Sequence, residues 1–182
     1  MRVVVALGGN ALSPRGGSGT VEELRASLDG TAALLADLLA EGTSLVLTHG
    51  NGPQVGRLLL QQEVAGDRVP PMPMDVCGAL SQGQLGYLIC QALDNALRSR
   101  RVDRQVLCLL TQVVVDAADP AFAHPSKPVG PSYPTLVGQG VAQASGQPFA
   151  EQSDGTWRRL VASPRPVSIV ELTPAERQEL ER

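Results

Sequence analysis

The chain opens with an apolar run over residues 2–7 that stops at Gly8-Gly9-Asn10. A run without polar alternation predicts a strand buried in a parallel sheet, ended here by a glycine turn. Thr20-Val21-Glu22-Glu23 reads as a capping box, in which Thr20 accepts from the new helix and Glu23 reaches back. Leu24, Leu28, Ala32, Leu35 and Leu39 then recur at helical spacing, and Gly42 supplies a left-handed stop. Ser44–Thr48 is a second apolar strand, His49-Gly50-Asn51-Gly52 a second glycine turn, and Pro53 opens a helix to about Ala65. Strand, glycine turn, helix, repeated, is the pattern of a parallel α/β sheet.

After a Pro/Met linker, Asp75 is placed as the N-cap of a long helix reaching about Arg101, with Arg98, Arg100, Arg101 and Arg104 suited to its negative end. Within it, Gly83 and Gly86 predict close approach of another backbone, since glycine costs a helix about 1 kcal/mol relative to alanine. Gln105–Asp116 reads as a third strand. From Ala117 to Thr156 the composition shifts to Pro, Gly, Gln, Ser and Ala, which predicts a flap inserted into the domain spanning residues 1–182. Trp157–Ala162 and Val167–Val170 resume strand character. Thr173-Pro174-Ala175-Glu176 starts another helix, but the strand that should come after it in a parallel sheet is missing, so the chain reads as cut.

Composition narrows the function classes. Of 182 residues, 43% are hydrophobic and 18% charged, which fits a globular domain and excludes a disordered one. A net charge of −3 gives no electrostatic footing for nucleic acid. No stretch approaches the length of a membrane span. Cys77, Cys90 and Cys108 have no metal-ligand spacing, and with only two histidines no metal cluster can be assembled, so they read as small buried hydrophobes of a reducing, cytoplasmic compartment.

The candidate chemistry sits in the two glycine turns and one lysine. A glycine turn between a buried strand and a helix offers backbone N–H groups and a positive helix end, and lets phosphate or carboxylate oxygens come close. Either turn alone could be only a tight turn, but two with shared Gly/Asn composition favour a site at Gly8, Gly9, Asn10, Gly50, Asn51 and Gly52. The familiar nucleotide motifs do not fit: Gly8-Gly9-Asn10-Ala11-Leu12 is not GxGxxG, and the single lysine cannot complete GxxxxGK[ST]. That lysine, Lys127, stands against 14 arginines and lies in His124-Pro125-Ser126-Lys127-Pro128-Val129-Gly130-Pro131. Prolines stiffen such an arm, and a compact ammonium carried on it can meet phosphoryl oxygens as a point charge. A single exposed lysine is ordinarily without consequence; its rarity and rigid setting favour a role. His49 is read as positioning its turn and His124 as lying on the flap surface.

Taken together these stretches resemble carbamate kinase, of the amino acid kinase superfamily. The resemblance lies in Val3 to Leu12, Thr48-His49-Gly50-Asn51-Gly52-Pro53-Gln54-Val55-Gly56, Met74-Asp75-Val76-Cys77 through Ser81-Gln82-Gly83, and Leu110 to Asp116. It continues in Ser126 to Pro131 and Trp157 to Pro166, covering about residues 2–172 in order. It implies a three-layer αβα sandwich around a mainly parallel sheet with a protruding flap, usually in a homodimer. It also implies reversible phosphoryl transfer between carbamoyl phosphate and ADP, giving ATP and carbamate, with Mg²⁺. On this resemblance Gly8, Gly9, Asn10, Gly50, Asn51 and Gly52 line the carbamate and phosphoryl pocket, and Lys127 is the catalytic lysine that reaches into it. The family's C-terminal nucleotide lobe has no counterpart in these 182 residues. ATP and Mg²⁺ are therefore expected only when such a lobe is supplied, and the chain alone is expected to turn over little. The alternative is a non-catalytic module for carbamoyl phosphate or another small anion, or an inactive fragment. The flap after Tyr133, with Pro134, Gly138, Gly140 and Gly146, departs from the charged helix usual in the family.

Overall fold

A computed structural model describes residues 1–8, 12, 17 and 19–169, which divide into two units, Met1–Leu109 and Leu110–Arg182. The first is an α/β unit. Strand β1 (Arg2–Leu7) pairs in parallel with β2 (Ser44–His49), in a register that sets Val3 against Leu45 and Leu7 against His49. A parallel pair needs a crossover, and helix α1 (Val21–Ala40) supplies it. Thr20 caps α1 by accepting from the Glu23 N–H at 3.3 Å. The Glu23 carboxylate reaches back one residue further than a capping box requires, to the Gly19 N–H at 2.6 Å. Gly42, at φ +86°, makes the left-handed exit that glycine tolerates without strain.

Helix α2 (Gly52–Ala65) has its proline in the first turn, as expected, and α3 (Met74–Ser99) packs against both α1 and α2. The N-cap of α3 is Pro73 in extended conformation, not Asp75, which falls in the first turn where its charge suits the helix dipole. The core of the unit is a cluster of Leu7, Leu24, Leu28, Leu35, Leu85 and Leu93 with their neighbours, between α1, α3 and one face of the β1–β2 pair. The apolar stripe read from α1 is thus buried except at Leu39, which is only partly covered. Val4 and Val46 lie on the other face of the pair and are exposed.

Three expectations change in α3 and the segment after it. A Cβ on Gly86 would sit 2.0 Å from the Cys108 sulfur, so the close neighbour is a side chain rather than a backbone, and around Gly83 the space is open. Cys77 is buried as expected, but Cys90 is half-buried and Cys108 exposed. Of the strand expected over Gln105–Asp116, only β3 (Val113–Val115) forms. Hydrogen bonding, not apolarity, makes a strand. Residues 105–112 take no strand conformation; Val106 packs on the core while Leu107 and Leu110 are exposed.

In the second unit, a 3₁₀ turn (Pro120–Phe122) leads into β4 (Lys127–Pro134), α4 (Thr135–Ser145), β5 (Phe149–Glu151), β6 (Thr156–Val161) and β7 (Pro166–Ile169). The segment expected as a flap at 117–156 contributes β4, α4 and β5, and its antiparallel sheet is completed by β6 as the central strand, in the order β4-β6-β5. A separate antiparallel pair joins β3 to β7, with a register shift at Val114/Val115. Helix α4 forms despite Gly138 and Gly140 because Gly138 has a packing reason. A Cβ there would lie 2.2 Å from the Trp157 Cβ on β6. The helix start expected at Thr173 lies outside the described residues.

Candidate functional site

The site expected at the glycine turns is built on the register of β1 and β2. Because Leu7 pairs with His49, the next residues, Gly8 and Gly50, leave the two strands side by side at their carboxyl ends. Neighbouring strands lie roughly 4.8 Å apart, so Gly8 and Gly50 stand close together at the edge at which open α/β sheets bind ligands. Gly9 and Asn10 lie outside the described residues.

No atom of the described chain lies within 4 Å of a Cβ built on Gly8, Gly50 or Gly52, and none of the three has positive φ. Neither backbone strain nor crowding by the described residues therefore calls for glycine at these positions. The absent side chains leave room in front of the backbone, which is what close approach of a ligand requires. His49 bonds through Nδ1 to the Gly50 carbonyl at 3.1 Å, so this nitrogen carries the proton and the ring braces the turn.

Asn51 is the N-cap residue of α2, yet its side chain makes no capping bond to the helix. It donates instead from Nδ2 to the Ser81 hydroxyl on α3 at 2.7 Å, and Ser81 donates to the Gly78 carbonyl at 2.6 Å. Ser81 is wholly buried. Its part was missed from the sequence, although a signal was present. Cys77, Ser81 and Leu85 fall at i, i+4 and i+8 on one helix stripe, all at 0% exposure, and a hydroxyl on a buried stripe needs partners.

A cleft of about 450 Å³ lies beside the turns, lined by Thr20, Gln54, Arg57, Gln84 and others, and does not include Gly8, Gly50, Asn51 or Gly52. Arg57 donates from Nη1 to the Gly19 carbonyl across this cleft and occupies the space a Gly19 side chain would need. Its guanidinium is thereby committed to holding the loop before α1 against α2. Cys77 and Cys90 do not add a nucleophile, since burial pushes both thiols up.

Lys127 belongs to the second unit. It is the first residue of β4, exposed, and paired in register with Val161. From Lys127 on, the prolyl arm expected to be stiff is the strand β4, paired to β6 at Lys127, Pro128 and Val129. Beside it the Arg158 guanidinium donates to the Gly130 carbonyl at 2.7 Å, fixing the left-handed glycine (φ +84°) next to Val129. His124 is exposed, as expected. Among the described residues no three His, Cys, Asp or Glu side chains gather as metal ligands, and no helix is long and apolar enough to cross a membrane.

The model of the amino acid kinase family matches residues 1–120. Among curated proteins, the chain is 48% identical over 172 residues to the carbamate kinase of Pyrococcus furiosus and 49% identical over 174 residues to that of Thermococcus kodakarensis. Both alignments cover 93% of this chain and 55% of the relative, so the chain spans about half the length of the curated relatives it matches. Among solved structures, carbamate kinase from Giardia lamblia bound to citric acid is similar at a TM-score of 0.84 and 39% identity, over 93% of this chain and 55% of that one. The same enzyme bound to AMP-PNP is similar at a TM-score of 0.80.

Proposed function

This chain belongs to the amino acid kinase family, and from that premise we propose that it is the carbamate-binding portion of a carbamate kinase. In the reaction proposed, the bond between phosphorus and the carbamoyl oxygen of carbamoyl phosphate breaks and a bond to the terminal phosphate oxygen of ADP forms, releasing carbamate and ATP. The observation that carries the reading is the pairing of β1 with β2, which brings Gly8 and Gly50 side by side, with open space at Gly8, Gly50 and Gly52. Phosphoryl transfer asks a protein mainly for positioning and charge compensation.

The residues divide that work. Backbone N–H groups at Gly8, Gly9, Gly50 and Gly52 hold the carboxylate and phosphoryl oxygens, assisted by the positive end of α2. Asn10 and Asn51 orient the carbamoyl group. Lys127 brings an ammonium to the transferring phosphoryl oxygens and offsets their charge. ATP, ADP and Mg²⁺ are what membership implies for the whole enzyme. The described residues offer no ready cluster of carboxylates for the ion, and no step is assigned to it. A homodimer is proposed on the same ground.

Calorimetric titration of the chain with carbamoyl phosphate tests the reading. Binding at millimolar concentrations or below is expected, weakened roughly tenfold by Lys127→Ala, the loss expected for one charge-assisted contact. No heat above that of inorganic phosphate would refute it. A coupled assay for ATP formation from carbamoyl phosphate and ADP then separates an enzyme from a binding module.

A further inference from the structure

The hydrogen-bond chain from α2 to α3 fixes more than the position of Asn51. An asparagine amide has a donor end and an acceptor end of nearly the same shape, and its surroundings decide which faces where. Here the surroundings are decisive. Ser81 has one hydroxyl proton and gives it to the Gly78 carbonyl at 2.6 Å. The lone pairs of its oxygen are left facing Asn51, and only a donor can meet them. Nδ2 of Asn51 does so at 2.7 Å. Turning the amide over would set two acceptors against each other, or force Ser81 to give up its bond to Gly78. At 0% exposure no water can stand in.

Among the described residues Oδ1 of Asn51 accepts no hydrogen bond, and the side chain caps no helix N–H. We infer that Ser81 is a positioning residue that locks the Asn51 amide with its acceptor end free at the glycine turns, where it selects a ligand carrying an amino group. The inference rests on the proposed function and deepens it by naming what distinguishes the substrate. A carbamoyl group has –NH₂ where an acetyl group has –CH₃ of nearly the same size. A site that only holds oxygens cannot separate them. An acceptor locked in place can, because the methyl analogue leaves it unpaired. His49 does not supply this acceptor through Nδ1, which is engaged with the Gly50 carbonyl.

The test compares three ligands on the 182-residue chain and on Ser81→Ala and Ser81→Cys. Carbamoyl phosphate, acetyl phosphate and inorganic phosphate are titrated calorimetrically against each. The parent is expected to prefer carbamoyl over acetyl phosphate roughly tenfold, the worth of one hydrogen bond to a ligand. Ser81→Ala should reduce the preference to about twofold or less while leaving inorganic phosphate binding unchanged, and Ser81→Cys, of similar size but a weaker acceptor, should fall between. The preference is a ratio within one preparation, so a partly unfolded variant does not distort it.

A second readout is the Asn51 side-chain NH₂ signal in ¹⁵N spectra. Its protons should exchange slowly with solvent in the parent and markedly faster in Ser81→Ala. A parent that binds carbamoyl and acetyl phosphate equally overturns this inference alone, as does a preference or a locked amide that survives in Ser81→Ala. A parent that binds no carbamoyl phosphate overturns the proposed function, and this inference with it.

Discussion

The two units are held together by different means. The first hides large side chains completely: Leu85 is 0% exposed, Leu97 1% and Leu28 2%. In the second, Val129 is the buried hydrophobic among the described residues, and the six residues of β6 are all only partly covered. Its order comes from backbone ladders, from the Tyr133–Phe149 ring contact at 6.2 Å, and from arginines bonded to carbonyl groups, such as Arg158 to Gly130. Side-chain burial fixes a unit over many contacts at once, whereas edge ladders and half-buried rings open locally at low cost. The proposed site divides the same way: the glycine turns stand on the well-packed unit, and Lys127 is carried by the other.

The largest effect should come from the packed unit. Leu85→Ala is expected to cost about 3 kcal/mol, transfer loss plus residual cavity, whereas Val129→Ala should cost about 1.5 kcal/mol. Because two units need not unfold together, residue-resolved amide exchange is the proper measurement. The comparison breaks if both substitutions loosen both units equally.

Glycine-to-alanine substitutions sharpen it at the next level. Gly138→Ala drives a methyl into the Trp157 Cβ at 2.2 Å, and both atoms belong to ordered elements that can yield only by shifting α4 off β6. A loss of about 1–3 kcal/mol in the second unit is expected. Gly30, inside α1, has open space around it and ordinary φ, so Gly30→Ala should stabilise the first unit by up to about 1 kcal/mol. Thermal unfolding of each variant checks the opposite signs.

The same difference decides what the sequence disclosed. In the first unit β1, α1, β2 and α2 were legible almost to the residue, because they obey periodicity and turn chemistry that act within a few positions. Thr20, Gly42 and Pro53 do in the structure what their types predict. Reading failed where the cause is distant. The 105–112 run is apolar enough for a strand but forms none, since a strand depends on its neighbours in a sheet and no local pattern reports them. Pro73 rather than Asp75 caps α3 because extended backbone there suffices without a side-chain bond. In the proposed site, the glycine turns and the lysine stood out by type and rarity. The Asn51–Ser81 bond did not, since it joins residues 30 positions apart. Only the buried stripe through Ser81 hinted that a hydroxyl there must have found a partner.

The smallest effect is the most selective, and it comes from acid. Asp119 is held below the usual carboxylate range by the backbone N–H groups of Ala121 and then Arg165, which tie the 3₁₀ turn to the segment entering β7. Asp154 is lowered by the Thr156 hydroxyl and then its N–H, in the turn before β6. In the first unit Asp37 is lowered chiefly by its hydrogen bond from Arg100 at 2.6 Å. All three have folded values below the unfolded one of about 3.9. Their contribution is therefore complete above pH of about 4 and is lost as pH falls through the lower folded values. Salt separates the cases, because an exposed ion pair is screened while an N–H bond to a carboxylate depends on contact. At acid pH in high salt, exchange should quicken around the 3₁₀ turn and at the start of β7 and β6, more than around the α1–α3 contact. Asp119→Asn, which keeps an acceptor but cannot titrate, should remove most of the pH dependence near Arg165. If it leaves that dependence intact, the turn is not held by its carboxylate.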